Sequence, residues 1–194
     1  MIPILRQLFR KSYPLNRITI FKDNLISNYN YLSNLNSSVK IAPVLKSNAY
    51  GHGLVEIGKI VDKLKAPFLC VDSLYEAYQL KKAGIKTPIL IMGFIDSQNL
   101  KIKSLPFSYA VWDLELAKVI NSHQKGARVH IFVDTGMHRE GVLVGELADF
   151  VAKLKKFENI KIEGLMSHFA NAHLDNSLTR LQLLNFQKAI NILE

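Results

Sequence analysis

Cysteine is almost absent from this sequence. The single residue, Cys70, cannot form a disulfide within the chain, and its place in the apolar run 67–71 predicts a small core residue. This usage favours a reducing compartment, the cytoplasm. The first residues carry Arg6, Arg10 and Lys11 but no continuous apolar stretch or small-residue cleavage site, so we expect a basic N-terminal arm and not a secretory signal.

Long hydrophobic runs are also lacking. The longest, 88–95, is interrupted by Gly93 and is far shorter than the roughly 20 residues of a membrane-spanning helix, so we expect no membrane span. Glycine- and serine-rich linkers, low-complexity tracts and short repeats are missing too. With 194 residues, 48% hydrophobic and 21% charged, the composition is that of a folded chain, and we predict one domain over residues 1–194.

Acidic residues are fewer than basic ones. The chain has 25 Lys and Arg against 16 Asp and Glu, a net charge of +9 that admits nucleic acid, anionic lipid or a phosphorylated small molecule as partner. The basic residues are dispersed, and aromatic residues do not interleave with them as a base-stacking surface requires. Solvated helix faces are therefore expected, without a nucleic-acid or membrane partner. The histidines show no ligand spacing with Cys70 or a carboxylate, which predicts no metal site.

Strand-like and helix-like segments alternate along the chain. Apolar or β-branched runs predict strands at 40–46, 67–72, 88–92, 107–111, 128–134 and 161–167. Helical periodicity predicts helices at about 54–65, 74–83, 98–104, 114–123, 145–157 and 177–193. Ser73 and Glu76 form a capping-box pattern at the start of one helix, and Gly84 follows its end. Before these units, 17–21 is strand-like and 24–35 is helix-like.

This alternation, with strands apolar on both faces, predicts an α/β fold in which helices cover a parallel sheet. Either a doubly wound sheet or a (β/α)8 TIM barrel satisfies the pattern. About six of the eight barrel units are visible, and a closed barrel typically takes about 250 residues, so we expect a partial barrel that stops about two units early.

Functional groups in parallel α/β folds gather where the strands end. The first predicted strand ends at Lys46 and runs directly into 47–53, SNAYGHG. A partly desolvated lysine amine at a strand end is the nucleophile that a carbonyl cofactor requires. A lysine that simply reaches solvent remains an open interpretation of Lys46 taken by itself.

Three segments resemble signatures of the alanine racemase family. KSNAYGHG at 46–53 closely resembles the family's cofactor-lysine signature, VDTGMHREG at 133–141 resembles its second signature, and GLMSHFA at 164–170 resembles its histidine-bearing strand. The resemblance runs from about Arg17 to the end of the chain. It implies a fold-type III pyridoxal 5′-phosphate enzyme, an isomerase that interconverts L- and D-alanine for bacterial peptidoglycan. It also implies a barrel followed by a β-rich domain, and a homodimer.

The resemblance further implies a role for each matched residue. Lys46 bonds the cofactor as a Schiff base and serves as one of two opposed acid/base groups. Tyr50 lies near the cofactor phosphate, and Arg139 lies beside the phenolic oxygen of the pyridine ring. Met137 lines the substrate side through its backbone amide, together with Arg139. His168 lies beside the ring.

Two departures from the family pattern stand out. The family usually has a lysine, often carbamylated, where this chain has Phe132, so Arg139 needs another anion or a water to orient it. The family's remaining barrel units, phosphate loop, pyridine-nitrogen arginine, opposing tyrosine and β domain find no match before Glu194. We therefore expect an incomplete N-terminal portion that is inactive by itself. Its open sheet is expected either to self-associate through the sheet edges or to have the last helix, 177–193, packed across the gap. Alternatives are a non-enzymatic cofactor carrier or regulator on a single-domain barrel, and a nucleic-acid-binding domain supported only by net charge.

Overall fold

A parallel sheet forms the centre of the computed structural model, which describes residues 16–174 and 176–194. Its strands are β1 (Leu69–Val71), β2 (Ile89–Ile91), β3 (Ser108–Val111), β4 (Ala127–Asp134), β5 (Val142–Leu143) and β6 (Ile160–Met166). The neighbours run β1-β2-β3-β4, β4 also pairs with both β5 and β6, and every pairing between these strands is parallel. The expected α/β fold with a partial barrel-like sheet is confirmed.

Helices connect and cover the strands. They are α1 (Lys22–Leu35), α2 (Leu54–Val61), α3 (Leu74–Lys82), α4 (Ser97–Leu100), α5 (Leu114–His123), α6 (Leu147–Leu154) and α7 (Ser177–Leu193). Short 3-10 turns, Asp62–Leu64 and Val144–Glu146, extend α2 and precede α6. The capping box of Ser73 and Glu76 forms at α3 as the sequence predicts. None of the helices in the described part of the chain is long and apolar enough to span a membrane.

The core lies between the sheet and its helices. Strands β1, β2 and β3 are buried along their whole length, as expected for strands that are apolar on both faces. Leu80 of α3 and Ile120 of α5 pack against the sheet with no exposed surface, and each such side chain contributes roughly 1.5–3 kcal/mol. Cys70 is a free, buried thiol, and burial raises its pKa to about 11.

Three secondary-structure predictions were wrong. Residues 17–21 form no strand, and Ile18 and Phe21 are 73% and 68% exposed because no neighbouring strand covers them. The predicted strand 40–46 is reduced to a parallel bridge between Val44 and Cys70. The helix predicted at 98–104 ends at Leu100, because the buried Gln124 amide binds the carbonyls of Leu100 and Lys103.

The structure describes the start of the chain from residue 16 onward. The basic arm expected at its first residues lies outside the described residues. The helix expected at 24–35 is present as α1, two residues longer at its start. The bridge at Val44 aligns the segment before Lys46 in parallel beside β1, so Lys46 lies at the carboxyl edge of the sheet although no regular strand precedes it.

Candidate active site

Lys46 begins a left-handed helical turn. The next four residues, Ser47, Asn48, Ala49 and Tyr50, have φ of 53°, 56°, 51° and 54°. A left-handed helical conformation costs an L-residue roughly 1–2 kcal/mol, because Cβ approaches the following carbonyl oxygen. Such backbone conformations persist only where surrounding contacts enforce them, and they cluster at functional sites. The strain therefore marks this turn as functionally constrained.

Contacts with two neighbouring helices hold the turn in place. Asn48 Oδ1 accepts a hydrogen bond of 2.8 Å from the backbone N–H of Leu54, at the start of α2. His52 Nδ1 lies 2.8 Å from the carbonyl oxygen of Ala49, whose side chain is buried. The backbone N–H of Asn48 also points at Glu76 Oε1 of α3, at 3.5 Å. The turn is thus fixed from both sides.

Glu76 has a larger role than its capping pattern suggests. Its second carboxylate oxygen accepts hydrogen bonds from the backbone N–H groups of Asp72 and Ser73, at 3.0 and 3.3 Å. One buried carboxylate therefore joins the end of β1 to the turn that carries Lys46. The sequence predicts only the local part of this arrangement, because Asn48 is distant from Glu76 along the chain.

Asp134 organises the loop that follows β4. One of its carboxylate oxygens accepts backbone hydrogen bonds from Gly136, Met137 and His138, at 2.9, 3.1 and 3.0 Å. Burial raises the pKa of Asp134, but these hydrogen bonds and the charge of His138 outweigh it, so its pKa is lowered. The loop then turns back onto the strand at Gly141, where φ is +122° and a Cβ would lie 2.5 Å from the Asp134 nitrogen.

Arg139 has an anionic partner in Glu140. The guanidinium donates from Nε and Nη2 to the two carboxylate oxygens of Glu140. This hydrogen bonding raises the pKa of Arg139, desolvation lowers it, and the charges of Glu140 and Asp72 raise it further. Phe132 is buried and meets Trp112 edge to face, so it cannot supply the anion that the family pattern usually offers. Glu140 is the anion that the structure places beside Arg139, and sequence reasoning missed it although it adjoins Arg139.

Three of the predicted site residues meet in one cleft. Met137, Arg139 and His168 line it together with Glu140 and Ser167, at the carboxyl ends of β4 and β6. Met137 lines the cleft, and its backbone amide is already bonded to Asp134. The His168 side chain is exposed, as is that of Arg139.

Lys46 and Tyr50 lie elsewhere on the same edge of the sheet. They stand beside β1, at the opposite end of the strand order from His168. Lys46 is half-buried, and Tyr50 is 61% exposed. Asp72, which follows β1, acts on Arg139 through its charge. The structure therefore places all five predicted residues on one edge but brings only three of them into one cleft.

A second polar cluster lies on strands β3, β4 and β6. Glu163 accepts a hydrogen bond from Ser108 Oγ at 3.1 Å, and its carboxylate lies 3.2 Å from His130 Nε2 and 3.9 Å from Arg128 Nε. Burial lowers the pKa of His130, Glu163 raises it, and Arg128 lowers it, with a net lowering. Within residues 16–174 and 176–194, no group of three His, Cys, Asp or Glu side chains is arranged to hold a metal ion.

The family model for the N-terminal domain of alanine racemase matches residues 20–194. The chain belongs to this family. The alanine racemase of Clostridium tetani is 37% identical over 180 residues, which cover 89% of this chain and 46% of that protein. The structure of alanine racemase from Clostridium difficile 630 superimposes with a TM-score of 0.82 at 34% identity, over 88% of this chain and 47% of that one. Its complex with cycloserine superimposes with the same TM-score.

Membership in the alanine racemase family confirms the resemblance of the three signatures. The chain spans about half the length of the curated alanine racemases that it matches. The solved alanine racemase structures share its parallel α/β architecture over that half.

Proposed function

We propose that this chain provides the cofactor-lysine portion of a pyridoxal-phosphate-dependent alanine racemase. The left-handed turn after Lys46 carries the proposal. Four consecutive strained residues without a glycine are held by Asn48 and Glu76, and the turn presents a half-buried amine at the carboxyl edge of a parallel sheet. Strain at this position is expected where a reactive group must be held in one orientation.

The chemistry of the available side chains fits the cofactor. A primary amine at Lys46 suits an aldehyde, whereas the Arg139 guanidinium and the Tyr50 phenol suit anionic oxygens. The His168 imidazole can pack against a flat aromatic ring. Tyr50, Arg139 and His168 are all exposed, so their functional groups are available to a ligand.

When bound, pyridoxal phosphate supplies the electron sink that makes the α-proton of an amino acid acidic. Lys46 would hold the cofactor through Nζ, and its amine would carry a proton to or from the α-carbon of the substrate on one face. Arg139, held by Glu140, would offer a fixed positive charge to the cofactor's ring oxygen. Tyr50 would hold the phosphate, His168 would orient the ring, and Met137 would border the substrate.

The substrate class follows from the family and from one relative. The enzyme from Clostridium difficile 630 forms a complex with cycloserine. We propose that this chain likewise takes small amino acids, with alanine as substrate and D-alanine for peptidoglycan as the product. A cytoplasmic location agrees with the free thiol of Cys70, and a homodimer agrees with the family. Residues 1–194 by themselves contain one of the two opposed proton-transfer groups, so we expect them to be inactive in racemisation.

Reductive trapping tests the role of Lys46. The chain is incubated with pyridoxal phosphate and borohydride, digested, and searched for the pyridoxyl group by mass spectrometry. We expect one modified peptide containing Lys46, loss of the label in Lys46→Ala, and full labelling in Lys59→Ala, which removes an exposed lysine from α2. Labelling of another lysine together with undiminished binding by Lys46→Ala would overturn the assignment.

Proton exchange separates an enzyme portion from a mere carrier. With saturating cofactor in deuterium oxide, Lys46 acting on one face should introduce deuterium at the α-carbon of alanine without inverting it. Cofactor binding without any exchange would favour the non-enzymatic carrier. Rapid interconversion of L- and D-alanine, abolished in Lys46→Ala, would show that a second proton-transfer group lies within these residues.

A further inference from the structure

We propose that Gln182 is a positioning residue of the cofactor site, because its buried carboxamide ties the loop after β4 to the loop after β6. The inference rests on the proposed function, since these loops carry Arg139 and His168. Gln182 lies in α7, outside the three signature segments and away from the cleft lining.

The carboxamide of Gln182 reaches both loops at once. Its Oε1 accepts a hydrogen bond from the backbone N–H of Ala170 at 3.0 Å. Its Nε2 donates to the carbonyl oxygen of His168 at 2.9 Å and to Thr135 Oγ1 at 3.2 Å. The side chain has no exposed surface. A buried amide is costly unless its donors and acceptor are paired, and here each of them has a partner.

From Gln182 through Thr135 to Ser167, each side chain donates a hydrogen bond to the next. Ser167 Oγ donates its only hydrogen to the carbonyl oxygen of Val133, at 2.8 Å. The 2.8 Å contact between Thr135 Oγ1 and Ser167 Oγ must therefore be donated by Thr135, which in turn accepts from Gln182. The chain of donors begins at the Gln182 amide and ends on the backbone of β4, so loss of that amide removes the first hydrogen bond and weakens the later ones, because hydrogen bonds in a chain polarise one another.

This network holds the backbone on both sides of the His168 side chain. Gln182 anchors the carbonyl of His168 and the N–H of Ala170, while the His168 imidazole stays exposed toward the cleft. Asn185, one turn further along α7, donates to the carbonyl oxygen of Thr135 at 2.9 Å and holds the β4 side. Helix α7 therefore fixes the distance between the two loops without touching the cleft.

The test compares two glutamines of the same helix. Gln182→Met keeps the volume but removes the carboxamide, and Gln187→Met is the matched control, because Gln187 is exposed and its amide donates to Asn191 Oδ1 within the same helix. Two measurements need no cofactor: amide hydrogen exchange at Ala170 and the NMR resonances of the His168 ring. We expect about tenfold faster exchange at Ala170 and shifted ring resonances in Gln182→Met only. Absorbance titration with pyridoxal phosphate, well below the melting temperature, should show about tenfold weaker binding in the same variant.

The outcomes separate positioning from simple support of the fold. A lower melting temperature with unchanged His168 resonances and unchanged cofactor affinity in Gln182→Met would overturn the inference. If the unmodified chain binds no cofactor, the proposed function fails, and the exchange and resonance measurements still decide whether Gln182 couples the loops. Should Gln182→Met not fold, Thr135→Val removes the acceptor for Gln182 Nε2 and the donor to Ser167 Oγ, and it leaves Gln182 in place. It is expected to shift the His168 ring resonances in the same direction, and unchanged resonances there would count against the coupling.

Discussion

Replacing Ser47 by glycine should stabilise the chain. Ser47 is exposed, with φ of 53° and no hydrogen bond from its side chain among those described. Relief of the left-handed conformation contributes roughly 1–2 kcal/mol, and the greater freedom of glycine in the unfolded chain offsets about 0.5–1 kcal/mol of it. A net gain of roughly 0.5–1 kcal/mol corresponds to a rise of about 1–4 °C in melting temperature for a chain of this size.

The same substitution should leave cofactor binding unchanged, because a glycine adopts the left-handed conformation without strain and so keeps the segment beside Lys46 in place. The melting temperature should therefore rise while the absorbance titration with pyridoxal phosphate stays the same. Ser37→Gly is the matched control, since Ser37 is an exposed turn residue without a positive φ. We expect it to lower the melting temperature slightly. If Ser47→Gly also lowered it, the strain assigned to the turn would not exist.

Three further substitutions have defined outcomes. Glu76→Ala removes the acceptor for partly buried backbone N–H groups and should lower the free energy of unfolding by about 1–3 kcal/mol in urea titrations, whereas exposed Glu115→Ala should change it by less than about 0.5 kcal/mol. Burial lowers the pKa of His130, so the imidazole binds its proton at a higher pH in the unfolded chain than in the folded one. The free energy of unfolding should therefore fall as the pH drops below about 6.5, and in His130→Gln it should depend less on pH between 7.5 and 5.5. Glu140→Gln should weaken cofactor binding by about three- to tenfold with an unchanged melting temperature, and equal affinity would show that the pair does not orient the guanidinium.

Local patterns predicted most of the fold. The bounds of α5 and α7 agree with the predicted 114–123 and 177–193, because apolar periodicity follows a side-chain cap at Asp113 and at Asn176. The two-residue strand β5 was missed, since it depends on the turn at Gly141 that brings the chain back onto β4.

The candidate site was less accessible to prediction, for a physical reason. The sequence SNAY does not by itself predict a left-handed turn, because the conformation depends on Glu76, which belongs to another helix. Glu140 adjoins Arg139 in the sequence, but the ion pair between them depends on the geometry of the two side chains. From the sequence, Gln182 is one polar residue of an amphipathic helix, and only the packed structure shows that its side chain is buried between two loops.

The order of strands bears on how the chain is synthesised. The segment at Val44 pairs with β1, and β2, β3 and β4 each pair with the strand made before them, so the sheet can grow as the chain leaves the ribosome. Lys46 is among the first of the site residues to emerge, and its turn is anchored once Glu76 follows. The hydrogen bonds between the loops after β4 and β6 form only when α7 brings in Gln182. The newborn polypeptide therefore acquires Lys46 and its turn early, and the connection between these two loops last.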